Sequence, residues 1–260
     1  MTQAANRQPI PILTYHQIAE APPRGAAFRS LYVSPGRFRS QMAWLKRLGY
    51  TGKSMRDLMP YLRGEREGRV VGITLDDGYR NNLTSALPVL QAMGFTATCY
   101  VVSGLLGGSN VWDHDLGVAP AALMTDLEVR AWADAGMEVG SHTRGHVHLD
   151  QLSETMAAQE MQASRSELEQ LIGQPVQQFC YPFGHYLPTQ IPLVEAAGYE
   201  VRTLFPHDVE SKIDVESSAG HKLTVLPSKK TDGIIKFSDG FTPDLLISNN
   251  DFSQNPKEWA

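Results

Sequence analysis

Two carboxylates stand side by side at Asp76-Asp77, and two imidazoles stand four residues apart at His142 and His146. Adjacent anions repel, and a fold tolerates them where a cation, an arginine or water neutralises one. Successive residues leaving a strand point to opposite sides, so the two carboxylates do different jobs unless the backbone bends. Gly78 permits that bend, because glycine reaches backbone angles closed to other residues. On a helical turn the histidine spacing puts both rings on one side, within reach of a single ion. A carboxylate from another strand end would complete a His-His-Asp site with an open position. Such a site suits a hydrolytic, zinc-type metal, which lowers the pKa of water to about 7. Each motif alone has an ordinary reading: a solvated Asp-Asp-Gly turn, and a polar loop decorated by His142, His146 and His148.

The elements around these residues repeat one pattern. Residues 70–73 are an apolar run that reads as a buried strand ending at the acidic pair, and residues 137–140 form a short strand ending at Ser141-His142. Further strands are expected at 9–15, 95–102, 176–181 and 199–204. Between them lie helices with recognisable starts: Ser34-Pro35, Ser54, the capping box Thr125 to Glu128, and Ser153. Another helix spans 83–93, starting near Ser85 with Pro88 in its first turn, and one more covers 190–197. Alternating strands and helices from residue 9 to about 204 argue for a parallel sheet with crossover helices. Both motifs then sit at the C-terminal edge, where such folds place their chemistry. No glycine-rich phosphate fingerprint is present, which favours a barrel over an open nucleotide-binding sheet.

Composition narrows the partners. The 260 residues are 42% hydrophobic and 20% charged, with a net charge of −5. Neither the charge nor any basic run supports nucleic acid as a partner. No apolar stretch approaches the about 18–20 residues that span a bilayer. Residues 1–9 are polar and lack the hydrophobic segment of a signal peptide, so a cytoplasmic location is expected. Cys99 and Cys180 lie in apolar strand-like runs and read as small core residues rather than a disulfide.

Three strand ends in order, Asp76-Asp77-Gly78, then Ser141-His142-Thr143 with His146, then Tyr181-Pro182-Phe183-Gly184, make a more specific pattern. In these motifs the chain resembles the polysaccharide deacetylase family, carbohydrate esterase family four, over residues 9 to about 204. The resemblance implies an α/β fold, a distorted (β/α) barrel of about seven parallel strands. It also implies hydrolysis of N-acetyl groups on amino sugars with one divalent metal, zinc above all, with cobalt or nickel as alternatives. Carried over by position, Asp76 becomes the general base, Asp77, His142 and His146 the metal ligands, and the backbone N–H of Phe183 a donor to the tetrahedral oxyanion. Tyr181, Pro182, Tyr186 and Trp112 become candidates for contact with the saccharide.

The chain departs from the family twice. Many members carry an arginine two residues before the proline, where this chain has Cys180. A late histidine within a Leu-rich strand, the family's general acid, has no convincing counterpart; His207 and His221 are candidates by order alone, and His185 sits beside the third motif. His16, after the first strand, is as readily structural as cleft-lining. Thr143 and Asp150 read as residues that brace the histidine loop. The expected division is a catalytic domain over 1–204 and a segment, 205–260, that completes the barrel, covers one end or stands apart. Two rival readings remain from sequence: a carbohydrate-binding pseudoenzyme that lost its general acid, and a related hydrolase of a non-sugar amide or an O-acetyl ester. The oligomeric state is not legible.

Overall fold

A computed structural model of the chain describes residues 10–203 and four later strands, Ile213–Glu216, Lys222–Pro227, Asp232–Phe237 and Leu245–Asn249. Seven strands precede those four: β1 (Ile12–Tyr15), β2 (Thr51–Lys53), β3 (Val70–Leu75), β4 (Thr98–Val101), β5 (Glu138–Ser141), β6 (Gln178–Cys180) and β7 (Val201–Thr203). Six helices are interleaved: α1 (Pro35–Arg47), α2 (Met55–Leu62), α3 (Leu87–Met93), α4 (Asp126–Asp134), α5 (Glu154–Ile172) and α6 (Ile191–Ala196). The later strands are β8 to β11 in chain order.

The helix starts follow from their caps. The hydroxyls of Ser34, Ser54 and Ser153 each accept an N–H from the first turn of α1, α2 and α5, and Thr125 with Glu128 closes a capping box on α4. The segment expected as one helix over 83–93 is instead a π-helical turn, Asn82–Ala86, running into α3. Pro88 lies in the first turn of α3, where its missing N–H costs nothing.

Strands β1, β3, β4, β5, β6 and β7 pair in that order, every pair parallel. The order never reverses, so the sheet winds in one direction, as a barrel wall does, and lacks the switch point of a doubly wound sheet. These six strands are one short of the seven expected of the barrel. The parallel run continues on the other side of β1 with β11, beyond which β10, β9 and β8 follow antiparallel. The short β2, unforeseen from sequence, branches off by pairing with β3.

Side chains of β3 divide between two cores. Val71, Ile73 and Leu75 pack with residues of the surrounding helices, among them Phe38, Leu90 and Trp132. Val70 faces the other way, into a smaller cluster with Ile12, Leu58, Tyr100 and Cys180. This inner face is partly polar: Thr74 donates to Thr14 at 3.1 Å, and Thr98 donates to Glu138 at 2.6 Å. The N-terminus of α2 plugs one end of that interior. Its Met55 N–H donates to Thr98 and its Arg56 N–H to Glu138, both at 2.8 Å. Because strand side chains alternate, Glu138, Gly140 and His142 follow one another along the inner face of β5, from the plugged end to the open one.

Candidate active site

The residues that immediately follow β1, β3, β5 and β6 gather at the open end. They are His16, Asp76 with Asp77, His142 with His146, and the turn around Phe183. The ladder reaches past the formal strand ends to fix them: the Asp76 N–H donates to the Tyr15 carbonyl at 2.8 Å and the His142 N–H to the Val101 carbonyl at 2.9 Å. The backbone then bends sharply. Asp77 itself takes a left-handed conformation, φ 71°, followed by Gly78 at φ 74°. The bend expected of the glycine is therefore shared with the carboxylate before it, and that turn separates the directions of Asp76 and Asp77.

The histidine pair also meets differently from expectation. No helix joins His142 to His146; left-handed residues at Thr143 (φ 62°) and His146 (φ 52°) curl the chain back so that both rings face one point. Side chains enforce that curl. The Thr143 hydroxyl accepts the His146 N–H at 3.0 Å. Glu160 of α5 accepts the N–H groups of Arg144 and Gly145 at 2.9 and 2.8 Å. Nothing local in the sequence pointed to Glu160, which lies on a helix face that reads as solvated. The bracing role expected of Thr143 is what it performs.

Around Asp77 the donors converge. Its Oδ1 lies 3.4 Å from His142 Nε2 and 3.1 Å from His146 Nε2, all three side chains being buried. These atoms lie close enough together to hold one metal ion. The donor set fits a zinc-type ion, two imidazoles and a carboxylate with no oxygen-rich cage. His142 Nδ1 sits 2.9 Å from the Cys180 carbonyl, which accepts its proton and orients the ring so that Nε2 faces Asp77. Asp76, His142 and Cys180 form an overlapping group. Burial holds the Cys180 thiol well above its ordinary pKa, so it stays protonated and is the poorer ligand.

The electrostatics separate the two carboxyls. Burial pushes Asp76 up to about 7, against the opposing pull of His142. Burial acts the same way on Asp77, but hydrogen bonds from His142 and His146 outweigh it and hold that carboxyl well below the usual range. Burial pushes His146 down to about 4, whereas for His142 the bond to Asp77 overcomes burial and raises it. Asp76 has an oxygen, Oδ1, with no hydrogen-bond partner among the described residues, while its Oδ2 lies 3.9 Å from both His16 Nε2 and Cys180 Sγ. Cys180 therefore stands beside the carboxylate that an arginine steadies in many family members, but brings no charge to it.

Aromatic rings frame the cluster. Trp112 stacks on His146 with centroids 4.1 Å apart, and Phe183 meets the same ring edge-on at 4.6 Å. Phe183 is itself left-handed, φ 59°. Tyr181 and Pro182 are buried, Tyr181 packing between Phe179 and the half-buried Tyr186. Tyr79, quoted in the first motif but given no role there, is buried beside Asp77, and burial followed by that charge raises its phenol. His185 reaches Asp150 rather than Asp76. His207 and His221 lie outside the described residues.

An inward-facing carboxylate and two imidazoles, with a second carboxyl beside them, on a singly wound α/β sheet, form a donor set of the kind that metal-dependent hydrolases use. Known sequences and structures agree. The family model of polysaccharide deacetylases matches residues 63–202, and a model described as glutamate-cysteine ligase matches residues 186–260. The putative polysaccharide deacetylase YxkH of Bacillus subtilis (strain 168) is 27% identical over 220 residues, 84% of this chain and 72% of that protein. A poly-beta-1,6-N-acetyl-D-glucosamine N-deacetylase of Staphylococcus aureus (strain MRSA252) is 22% identical over 87% of this chain and 71% of its own length. Among solved structures, the Streptococcus pyogenes deacetylase PplD in complex with acetate superposes with a TM-score of 0.63 at 29% identity, covering 73% of this chain and 80% of that one. The chain belongs to the polysaccharide deacetylase family.

Proposed function

We propose that this chain is a metal-dependent N-deacetylase that removes acetyl groups from N-acetylated amino sugars in an oligo- or polysaccharide. The observation that carries the reading is the convergence of Asp77, His142 and His146, with Asp76 beside them and not among them. Those three residues would hold the ion. When bound, a zinc-type ion supplies Lewis acidity, which makes water a nucleophile near neutral pH and polarises a carbonyl.

The chain's own residues supply the rest. Asp76, held by burial near pKa 7, accepts the proton of the attacking water. The backbone N–H of Phe183, on its left-handed turn, is offered to the oxyanion that develops on the acetamide. Trp112, stacked over His146, gives the sugar a flat apolar wall. Support for a saccharide substrate comes from the family and from the printed activity of the staphylococcal relative.

The test is acetate release from N-acetylglucosamine oligomers by chelated protein given back zinc, cobalt or nickel, with Asp76→Asn alongside. The reading expects release to return with metal and to fall about 100- to 10,000-fold in Asp76→Asn, which still binds the ion. Release that survives the substitution would remove Asp76 from the mechanism. Release from O-acetyl esters or small amides, but not from the oligomers, would move the substrate and keep the chemistry.

A further inference from the structure

A second histidine–carboxylate group stands just outside the first and shares no residue with it. His148 and Asp150 lie on the loop after β5, and His185 lies on the loop after β6. One donor atom from each falls within the mutual reach of a single ion. Asp150 faces both rings at once: its Oδ1 is 3.9 Å from His148 Nδ1 and its Oδ2 is 3.8 Å from His185 Nδ1.

Those distances are too long for hydrogen bonds. His148 Nδ1 and Asp150 Oδ1 are both buried atoms with no hydrogen-bond partner among the described residues. Imidazole and carboxylate donors around one tetrahedral ion stand about 3.5 Å apart, and here one donor atom from each residue lies within 4.8 Å of the others, so small side-chain shifts would close the set. The framework that carries them is fixed. The His148 ring lies flat on Phe183, centroids 3.9 Å apart and planes at 5°. Gln190 donates its amide to the Leu149 carbonyl and so holds the short turn that bears Asp150.

We propose that His148, Asp150 and His185 form a second, outer site for a zinc-type divalent cation, which ties the loop after β5 to the loop carrying Phe183. The side chains are partly exposed, His185 by 56%, so the outer ion exchanges with solvent and binds more weakly than one in the buried site. Two imidazoles select zinc, cobalt or nickel over magnesium and calcium, which require oxygen ligands.

The experiment counts zinc per chain by equilibrium dialysis of the full chain as free zinc is raised well past saturation of the tighter site. Wild type should take up two ions. Asp150→Asn and His185→Ala should each take up one, and the ion they retain reports that the buried site is folded. His142→Ala should keep the weaker ion. Hydrogen exchange across residues 182–186 should slow when the second ion enters wild type, and should not change in Asp150→Asn. Magnesium in place of zinc should add no ion. One ion in wild type that Asp150→Asn retains would overturn the outer site and leave the inner one standing. One ion that Asp150→Asn loses would instead overturn the inner assignment.

Discussion

Glu138 offers the sharpest separation of scaffold from chemistry, because it shares the inner face of β5 with His142 but sits at the plugged end. Its Oε2 accepts the Thr98 hydroxyl at 2.6 Å and the Arg56 N–H at 2.8 Å, and the Thr98 oxygen in turn accepts the Met55 N–H. Truncation by Glu138→Ala leaves a buried hydroxyl and a partly buried N–H without an acceptor. At about 1–3 kcal/mol for each orphaned group, the loss is about 2–6 kcal/mol. That is a large fraction of the roughly 5–15 kcal/mol that holds a domain together.

Glu138→Gln keeps an oxygen for both donors and removes the charge. Burial raises the Glu138 carboxyl above its ordinary 4.5, with the two hydrogen bonds only partly opposing it. A folded-state pKa above the unfolded one gives stability that is complete below pH 4.5 and fades as pH rises through the folded value. Each unit of upward shift removes about 1.36 kcal/mol by the top of that window. Urea unfolding at a series of pH values between 4 and 8 should therefore show wild type losing stability relative to Glu138→Gln, and Glu138→Ala low throughout. Parallel lines for wild type and Glu138→Gln would show that no charge is buried there, and a loss under about 1 kcal/mol in Glu138→Ala would refute the hydrogen-bond argument.

Three other substitutions probe the site's supports. Thr143→Ala removes the acceptor of the His146 N–H, and zinc affinity measured calorimetrically should fall about 10- to 100-fold, with Thr143→Ser close to wild type. Equal affinities in all three proteins would mean that Glu160 alone holds the loop. Gly140→Ala places a methyl 2.5 Å from the Tyr100 ring, beneath His142, and should lower stability by about 1–3 kcal/mol in urea; an unchanged midpoint would show that Tyr100 can move aside. Trp112→Ala should raise KM for N-acetylglucosamine oligomers about 2- to 10-fold while zinc affinity holds, whereas a fall in zinc affinity with KM unchanged would make the ring a support for His146 instead.

What the sequence revealed was what is encoded within a few residues. Ser34, Ser54, Thr125 and Ser153 announced their helices because a cap and the N–H it accepts lie three positions apart. Asp76-Asp77 and His142 with His146 were legible as a site because strand ends place them together. The geometry of their turns was not, since a left-handed Thr143 or Asp77 has no residue-type signal of the kind glycine gives. Strand β2 was missed for a related reason. Thr51-Gly52-Lys53 has no apolar alternation, and Gly52 is required by distant residues: a Cβ there would lie 2.5 Å from Ile73 and 2.7 Å from Phe95. Glu138 and Glu160 were illegible because an acid among apolar residues and an acid on a helix look the same in sequence whatever they bind. In the tail, the apolar pieces at 223–226, 234–235 and 245–247 each fall within a strand, but strand direction needs the partners that only the sheet supplies.

The distribution of backbone strain ties these observations together. Five non-glycine residues have positive φ among the described residues, and four of them, Asp77, Thr143, His146 and Phe183, belong to the site. Each such conformation costs about 1–2 kcal/mol in an L-residue, so four in one place persist only where the surroundings over-determine them. The supports are rigid and remote: the ladder bond from Asp76 to β1, the Thr143 hydroxyl, Glu160 on α5, and the rings around His146. The donors are therefore held facing one another by the protein's own framework. On the proposed reading an ion would meet donors already in place and need not fold the site, so chelation should leave the fold intact. The strain is held where a change of side-chain direction matters most, at the two turns that send neighbouring residues to separate tasks.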